Sequence, residues 1–260
     1  MMTAQEIIAH LESLHNEAQR QVLMGFFKTA PGQYGHGDEF LGLKVPQTRE
    51  VVKAVVRDTP IEQIPLLLAC RWHEVRLCGL LMLVWQFERL TTKRLVHDAE
   101  ATKKRDAILT LYLSHAERAN NWDLVDMSAP NILGHWLMLP SALGDNDYKL
   151  RVVDALAASP VLWLQRISMV CTWKTSQMGD ASWCLRYAEV HLHHRHDLMH
   201  KAVGWMLREM GKRVSMDLLR DFLRCHAHEM PRTALRYAIE KMTDEERQYW
   251  MTRSVLPQQK

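Results

Sequence analysis

Asp197-Leu198-Met199-His200-Lys201-Ala202-Val203-Gly204-Trp205-Met206-Leu207-Arg208-Glu209-Met210-Gly211-Lys212-Arg213 carries two stripes at once. Met199, Val203, Met206, Leu207 and Met210 recur with the period of an α-helix and define an apolar face for a core. Lys201, Trp205, Arg208 and Lys212 recur with the same period on a different face. Two readings fit that second stripe. In one, a neighbouring helix covers Trp205 and the cations are solvated. In the other, an indole flanked by cations meets an anionic backbone and a sugar or base.

The same periodicity runs through most of the chain. It predicts helices over roughly 3–27, 46–58, 60–70, 72–89, 92–116, 121–138, 146–158, 160–175, 179–192, 197–213, 215–227 and 230–250. Pro46, Pro60 and Pro160 stand where first helical residues belong, with Thr59 and Ser159 as N-caps for the last two. No β-branched alternating run bounded by hairpin turns interrupts the pattern. Two helices about every forty residues is the rhythm of stacked helix pairs. The expected fold is therefore all-α: a right-handed α-solenoid of HEAT-like helix pairs, one domain over residues 1–260, with a concave groove able to hold a duplex. A compact helical bundle is the alternative.

Bulk properties agree and exclude several classes. The chain has 260 residues, 47% hydrophobic and 24% charged, enough for a sizeable core. A formal net charge of +3 neither demands nor excludes nucleic acid, so the placement of cations decides. The N-terminal Met1-Met2-Thr3-Ala4-Gln5-Glu6 lacks the basic segment of a secretory signal, and Cys78–Phe87 is too short an apolar run to span a bilayer. Five widely spaced cysteines, without a CxxC pair, read as buried or free thiols in a reducing cytoplasm. One segment breaks the helical rhythm. Pro31-Gly32-Gln33-Tyr34-Gly35-His36-Gly37-Asp38-Glu39 lacks the Lys–hydroxyl ending of a phosphate loop and reads as a surface loop.

Three further places can carry chemistry. In Asn120-Asn121-Trp122-Asp123-Leu124-Val125-Asp126, an Asn caps a helix starting near Trp122, and Trp122 and Asp126 stand one turn apart on one face. The core stripe of that helix is Val125, Ala129, Ile132, Leu133 and Trp136, with Asp126 at its edge. Pro130 removes the helical bond to the Asp126 carbonyl, so an irregularity is expected there. A site carboxylate and a structural hydrogen bond between helices both remain open for Asp126. After Pro160, Trp163, Arg166, Val170, Trp173 and Lys174 share a face, where Arg166 is either a stacked structural residue or a phosphate ligand. His191, His193, His194, His196 and His200 include one i, i+4 pair, but no HExxH and no nearby cysteine, so they read as polar surface rather than a metal site.

Taken together and in order, these residues resemble the DNA alkylation repair family of HEAT-like-repeat glycosylases. The stretches that carry the resemblance are Phe26-Phe27-Lys28, then Phe40-Leu41-Gly42-Leu43-Lys44-Val45-Pro46, Asn121-Trp122-Asp123-Leu124-Val125-Asp126, Trp163-Leu164-Gln165-Arg166, and Lys201-Ala202-Val203-Gly204-Trp205-Met206-Leu207-Arg208-Glu209. The resemblance implies a monofunctional glycosylase that hydrolyses the N-glycosidic bond of cationic N3- or N7-alkylated purines in duplex DNA without flipping the base. It places Asp126, Trp122 and Trp205 in the catalytic set. It places Arg166, Lys174 and Arg208 at the DNA, to which the cations Lys201, Lys212, Lys44 and Arg49 are added. Phe26 falls where some members carry Tyr. The expected partner is double-stranded DNA with alkylated bases, with no metal, cofactor or membrane, in a cytoplasmic monomer. The alternative is a catalytically silent helical-repeat module that binds DNA or protein.

Overall fold

The computed structural model describes residues 1–253, and among these it is helical throughout, with a single isolated bridge between Glu39 and Trp72. The chain packs as two compact units: Met1–Ile132 with Pro140–Leu143, and Leu133–Leu139 with the chain from Gly144 onward. The first holds α1 (Ala4–Ser13), α2 (Glu17–Phe26), α3 (Val45–Val55), α4 (Ile64–Leu68), α5 (His73–Arg89), α6 (Ala99–Ser114) and α7 (Trp122–Ser128). The second holds α8 (His135–Leu137), α9 (Asn146–Ala157), α10 (Leu162–Val170), α11 (Thr172–Gln177), α12 (Ser182–Val190), α13 (Asp197–Arg213), α14 (Met216–His226), α15 (Arg232–Ala238) and α16 (Asp244–Arg253). Sequential helices stack on one another within each unit, as in an α-solenoid.

Capping chemistry sets many of the boundaries. The run expected over 3–27 is two helices, because Asn16 leaves helical geometry and its side chain accepts from the Gln19 N–H. The helix expected from residue 92 begins at Ala99, because Asp98 caps it through the Ala101 N–H. Thr243 does the same for Glu246 and divides the run expected over 230–250. Between α10 and α11 the cause differs. Ser168, Cys171 and Thr172 all turn their side chains back onto carbonyls of the preceding turn, which competes with the helical ladder. Two expected caps are corrected. Thr59 donates backwards to the Val55 carbonyl and so closes α3, and the extended residue before α10 is Val161, whose N–H donates to the Ser159 hydroxyl.

Each unit is organised around one buried helix. In α5 every residue from His73 to Val84 is buried, including Glu74 and Arg76, and α1, α3, α4, α6 and α7 pack around it. In the second unit α13 takes this place, with α10, α11, α12, α14 and α15 against it. The crossing of α13 and α15 depends on Gly204. A Cβ there would lie 2.2 Å from the Ala234 carbonyl oxygen, so a side chain would force the helices apart.

Candidate functional site

The site in the first unit is built from the start of α7. Asn121 accepts the Trp122 N–H at 2.9 Å and fixes the first helical turn. Trp122 and Asp126 then follow one turn apart, both half-buried. The irregularity expected at Pro130 is present as a π-helical turn, Pro130–Gly134, and the Asn131 side chain donates to the Met127 carbonyl at 3.0 Å. Ser128 is held from both sides, by the Leu124 carbonyl at 2.6 Å and by the Tyr112 hydroxyl at 3.1 Å.

Trp122 is one wall of an aromatic cavity of about 340 Å³. It stacks on Phe27, with ring centroids 5.4 Å apart, and meets Phe26 edge-on at 5.8 Å. Phe27 in turn stacks on Phe40 at 5.0 Å, and Phe40 on the His73 ring at 4.4 Å. Leu23, Leu43, Val45, Leu77 and Met127 add to the apolar lining, Lys44 stands just before α3 and Pro46 in its first turn, and His73, Glu74 and Asp123 are the polar residues of the wall.

Beneath these rings lies a charged network of residues from three parts of the chain. His73 is 2% exposed, and its Nδ1 pairs with Asp38 at 2.8 Å while its Nε2 pairs with Asp123 at 2.9 Å. Asp38 also receives Arg76 and the Asn121 amide. Burial opposes the imidazolium, but the two carboxylates outweigh it and raise His73 to about 9. Burial acts on Asp38 with the opposite sign and pushes it up, yet the His73 hydrogen bond and the charges of His73 and Arg76 hold it below the ordinary carboxylate value. Glu74, in the first turn of α5, accepts the backbone N–H groups of Leu41, Gly42 and Leu43 at 2.8–3.0 Å. Gly42 needs its glycine: φ is 86°, and a Cβ would lie 2.1 Å from the Asn16 carbonyl oxygen.

The periodicity reading singled out none of Asp38, His73, Glu74, Arg76 or Asp123. One signal was present: three ionisable residues within four positions at the head of an otherwise apolar helix. The loop at 31–39 is therefore more than surface. Pro31–Gln33 are exposed, but Gly35 and Asp38 are buried, and the loop delivers Asp38 to His73.

A pH dependence follows from His73. Its unfolded value is 6.5 and its folded value about 9, so between them the folded chain holds a proton that the unfolded chain has released. The stabilisation is complete below about pH 6.5 and is lost as pH rises through about 9. We expect the melting temperature to fall across that window and to fall less for His73→Gln. Equal slopes in the two proteins would remove His73 as the cause.

In the second unit, Met199, Val203, Met206, Leu207 and Met210 are all buried, as the stripe on α13 predicts. Trp205 is half-buried on the other face. Lys201 pairs with Asp197 at 2.7 Å, Arg208 pairs with Glu240 and Glu209, and Lys212 is exposed. Arg166 is 4% exposed and donates to the Leu198 carbonyl at 2.6 Å, at the first turn of α13. Lys174 is half-buried on α11. In the first unit Lys44 and Arg49 are exposed at the start of α3.

The histidines are not simply polar surface. His191 and His200 are buried. His191 meets Ser168, His194 meets Gln165, His200 meets the His194 carbonyl, and the His196 ring accepts the Leu198 N–H that opens α13. Burial lowers His191 to about 4, which keeps it neutral.

Residues 7–242 match the family model described as DNA alkylation repair enzyme. A solved structure, described as a predicted DNA alkylation repair enzyme from Enterococcus faecalis, has a similar fold. Its TM-score is 0.61 at 13% identity, covering 88% of this chain and 97% of that one. No curated protein matches in sequence.

Proposed function

The chain belongs to the DNA alkylation repair enzyme family, and from that premise we propose that it is a monofunctional DNA glycosylase releasing N3- and N7-alkylated purines from duplex DNA. A role in the repair of alkylated DNA comes with the family. The observation that carries the finer reading is the pairing of an indole and a carboxylate, Trp122 and Asp126, one turn apart and both half-exposed at the head of α7.

An N3- or N7-alkylated purine is already cationic and leaves readily. The barrier is the oxocarbenium charge that develops on the deoxyribose as the glycosidic bond breaks. Asp126 supplies the compensating anion and orients the attacking water. Trp122 and Trp205 supply π faces for the sugar, each worth about 0.5–2 kcal/mol. Contacts of this kind engage sugar and phosphate, so the lesion's own charge and lability select it and the base need not be flipped. Lys44, Arg49, Lys174, Lys201, Arg208 and Lys212 are the proposed cationic contacts to the duplex, together with Arg166, whose guanidinium also donates to the Leu198 carbonyl at the first turn of α13.

Incubating the purified protein with methylated duplex and separating free bases tests the reading. Release of 7-methylguanine or 3-methyladenine is expected. If the duplex is bound but no base appears, the silent binding module is the better description. The footprint has its own check. Lys174→Ala and Lys212→Ala should each weaken binding to any duplex and reduce the slope of log K against log salt by about 1. Anisotropy titrations at several salt concentrations measure this, and unchanged slopes would take both residues out of the footprint.

A further inference from the structure

The loop at 31–39 and the head of α7 lie far apart in sequence, yet one buried network joins them on either side of Trp122. Its two chain neighbours, Asn121 and Asp123, are both buried. The Asn121 amide donates to Asp38 at 3.3 Å, across 83 positions, and the Asp123 carboxylate meets His73 Nε2 at 2.9 Å. His73 Nδ1 meets Asp38 at 2.8 Å. Two carboxylates on the two nitrogens of one ring need a donor at each, so an imidazolium joins loop to helix and no neutral tautomer serves both. The indole of Trp122 is supported as well. It stacks on Phe27, whose ring centroid is 5.1 Å from that of His73. The loop closes over the backbone of Phe27, with the Gly35 N–H donating to the Lys28 carbonyl at 3.0 Å. A Cβ on Gly35 would lie 2.3 Å from the Phe27 carbonyl oxygen and 3.3 Å from the Asn121 amide nitrogen.

A helix end needs only its cap, and Asn121 supplies that through the oxygen that accepts the Trp122 N–H. The tie from its amide nitrogen to Asp38, and the two ties of His73, add nothing to the helical ladder. They fix the direction in which the first helical residue projects. Apolar packing would hold this end of the helix without burying charge. A set of directional ties instead selects one geometry for a half-exposed side chain.

We propose that Asp38 and His73 are positioning residues for Trp122: through Asn121 and Asp123 they orient the indole toward the sugar of the bound duplex. Both are buried, so they act through their neighbours rather than on the DNA. The purpose of the orientation rests on the glycosylase reading above; the orientation itself rests on the network.

Fluorine NMR of the full chain labelled with fluorotryptophan reads the orientation without relying on catalysis. The chain has nine tryptophans, and Trp122→Phe and Trp250→Phe assign two of the resonances. Asn121→Ser keeps an oxygen to cap α7 and removes the donor to Asp38. His73→Gln removes the charge and replaces two donor nitrogens with one. In both variants the Trp122 resonance should shift or broaden while that of Trp250, in the second unit, keeps its place. Single-turnover base release should fall about tenfold, with duplex affinity within about twofold of the parent. Ile7→Ala, a core truncation in α1, lowers stability without touching the network and should leave both readouts at parental values. Asn121→Ser carries the test if His73→Gln does not fold. A parental Trp122 resonance in Asn121→Ser, or parental release rates in the folded variants, overturns the proposal, because the cap alone would then suffice. If the parent releases no base but the Trp122 resonance still moves, the glycosylase reading fails and the tie between network and indole stands.

Discussion

Asp126→Asn should reduce base release from alkylated duplex by about a thousandfold while leaving DNA binding and melting temperature close to those of the parent. The substitution keeps the size and shape of a half-buried side chain while removing its charge and turning one acceptor oxygen into an N–H₂ donor. One charge pair at about 4 Å in an environment of effective dielectric about 20 is worth roughly 4 kcal/mol, or about three powers of ten in rate. The loss should fall on the chemical step, because the anion matters most when the sugar carries charge. Single-turnover release of 7-methylguanine, with protein in excess over duplex, reads that step directly. Parental rates in the Asn variant would mean that Asp126 serves the packing of α7 and nothing more.

The second large effect concerns Glu74. Its carboxylate is 2% exposed and gathers three consecutive backbone N–H groups, from Leu41, Gly42 and Leu43. Those groups belong to the segment that leads into α3, from which Phe40, Leu43 and Lys44 line the aromatic cavity. Glu74→Ala leaves three donors facing a hole, at about 1–3 kcal/mol each before relaxation. We expect a net loss of about 3–5 kcal/mol, comparable to breaking a buried charge pair, and a fall in melting temperature of roughly 10 °C. Calorimetry measures it. A melting temperature within a degree or two of the parent would show that water or a backbone shift satisfies the donors. Glu74→Gln should recover part of the loss, since its amide oxygen still accepts.

Particular residues show how much was legible in advance. The stripe of Met199, Val203, Met206, Leu207 and Met210 is buried as its spacing requires, and so is that of Val125, Ala129, Ile132, Leu133 and Trp136. Pro130 announced its irregularity, because a missing N–H is a property of the residue itself. Other local signals misled. Thr59 had the chemistry of an N-cap, but its hydroxyl found the Val55 carbonyl behind it, and Asn16 and Thr243 divided stretches whose apolar period ran on without a break. Caps of this kind depend on which of two nearby backbone groups is free, and spacing alone does not decide that.

From its amino acids alone, the chain determined that it would be helical, which faces would be buried and where an indole and a carboxylate would share one turn. Those follow from a period of 3.6 residues and from the covalent limits of proline, and both act within a few neighbours along the backbone. The joining of Asp38 to His73, thirty-five positions away, and of His73 to Asp123, fifty positions further, was decided only in three dimensions. A charge is tolerated in a core only when an opposite charge arrives beside it, and that partner comes through folding rather than through sequence proximity.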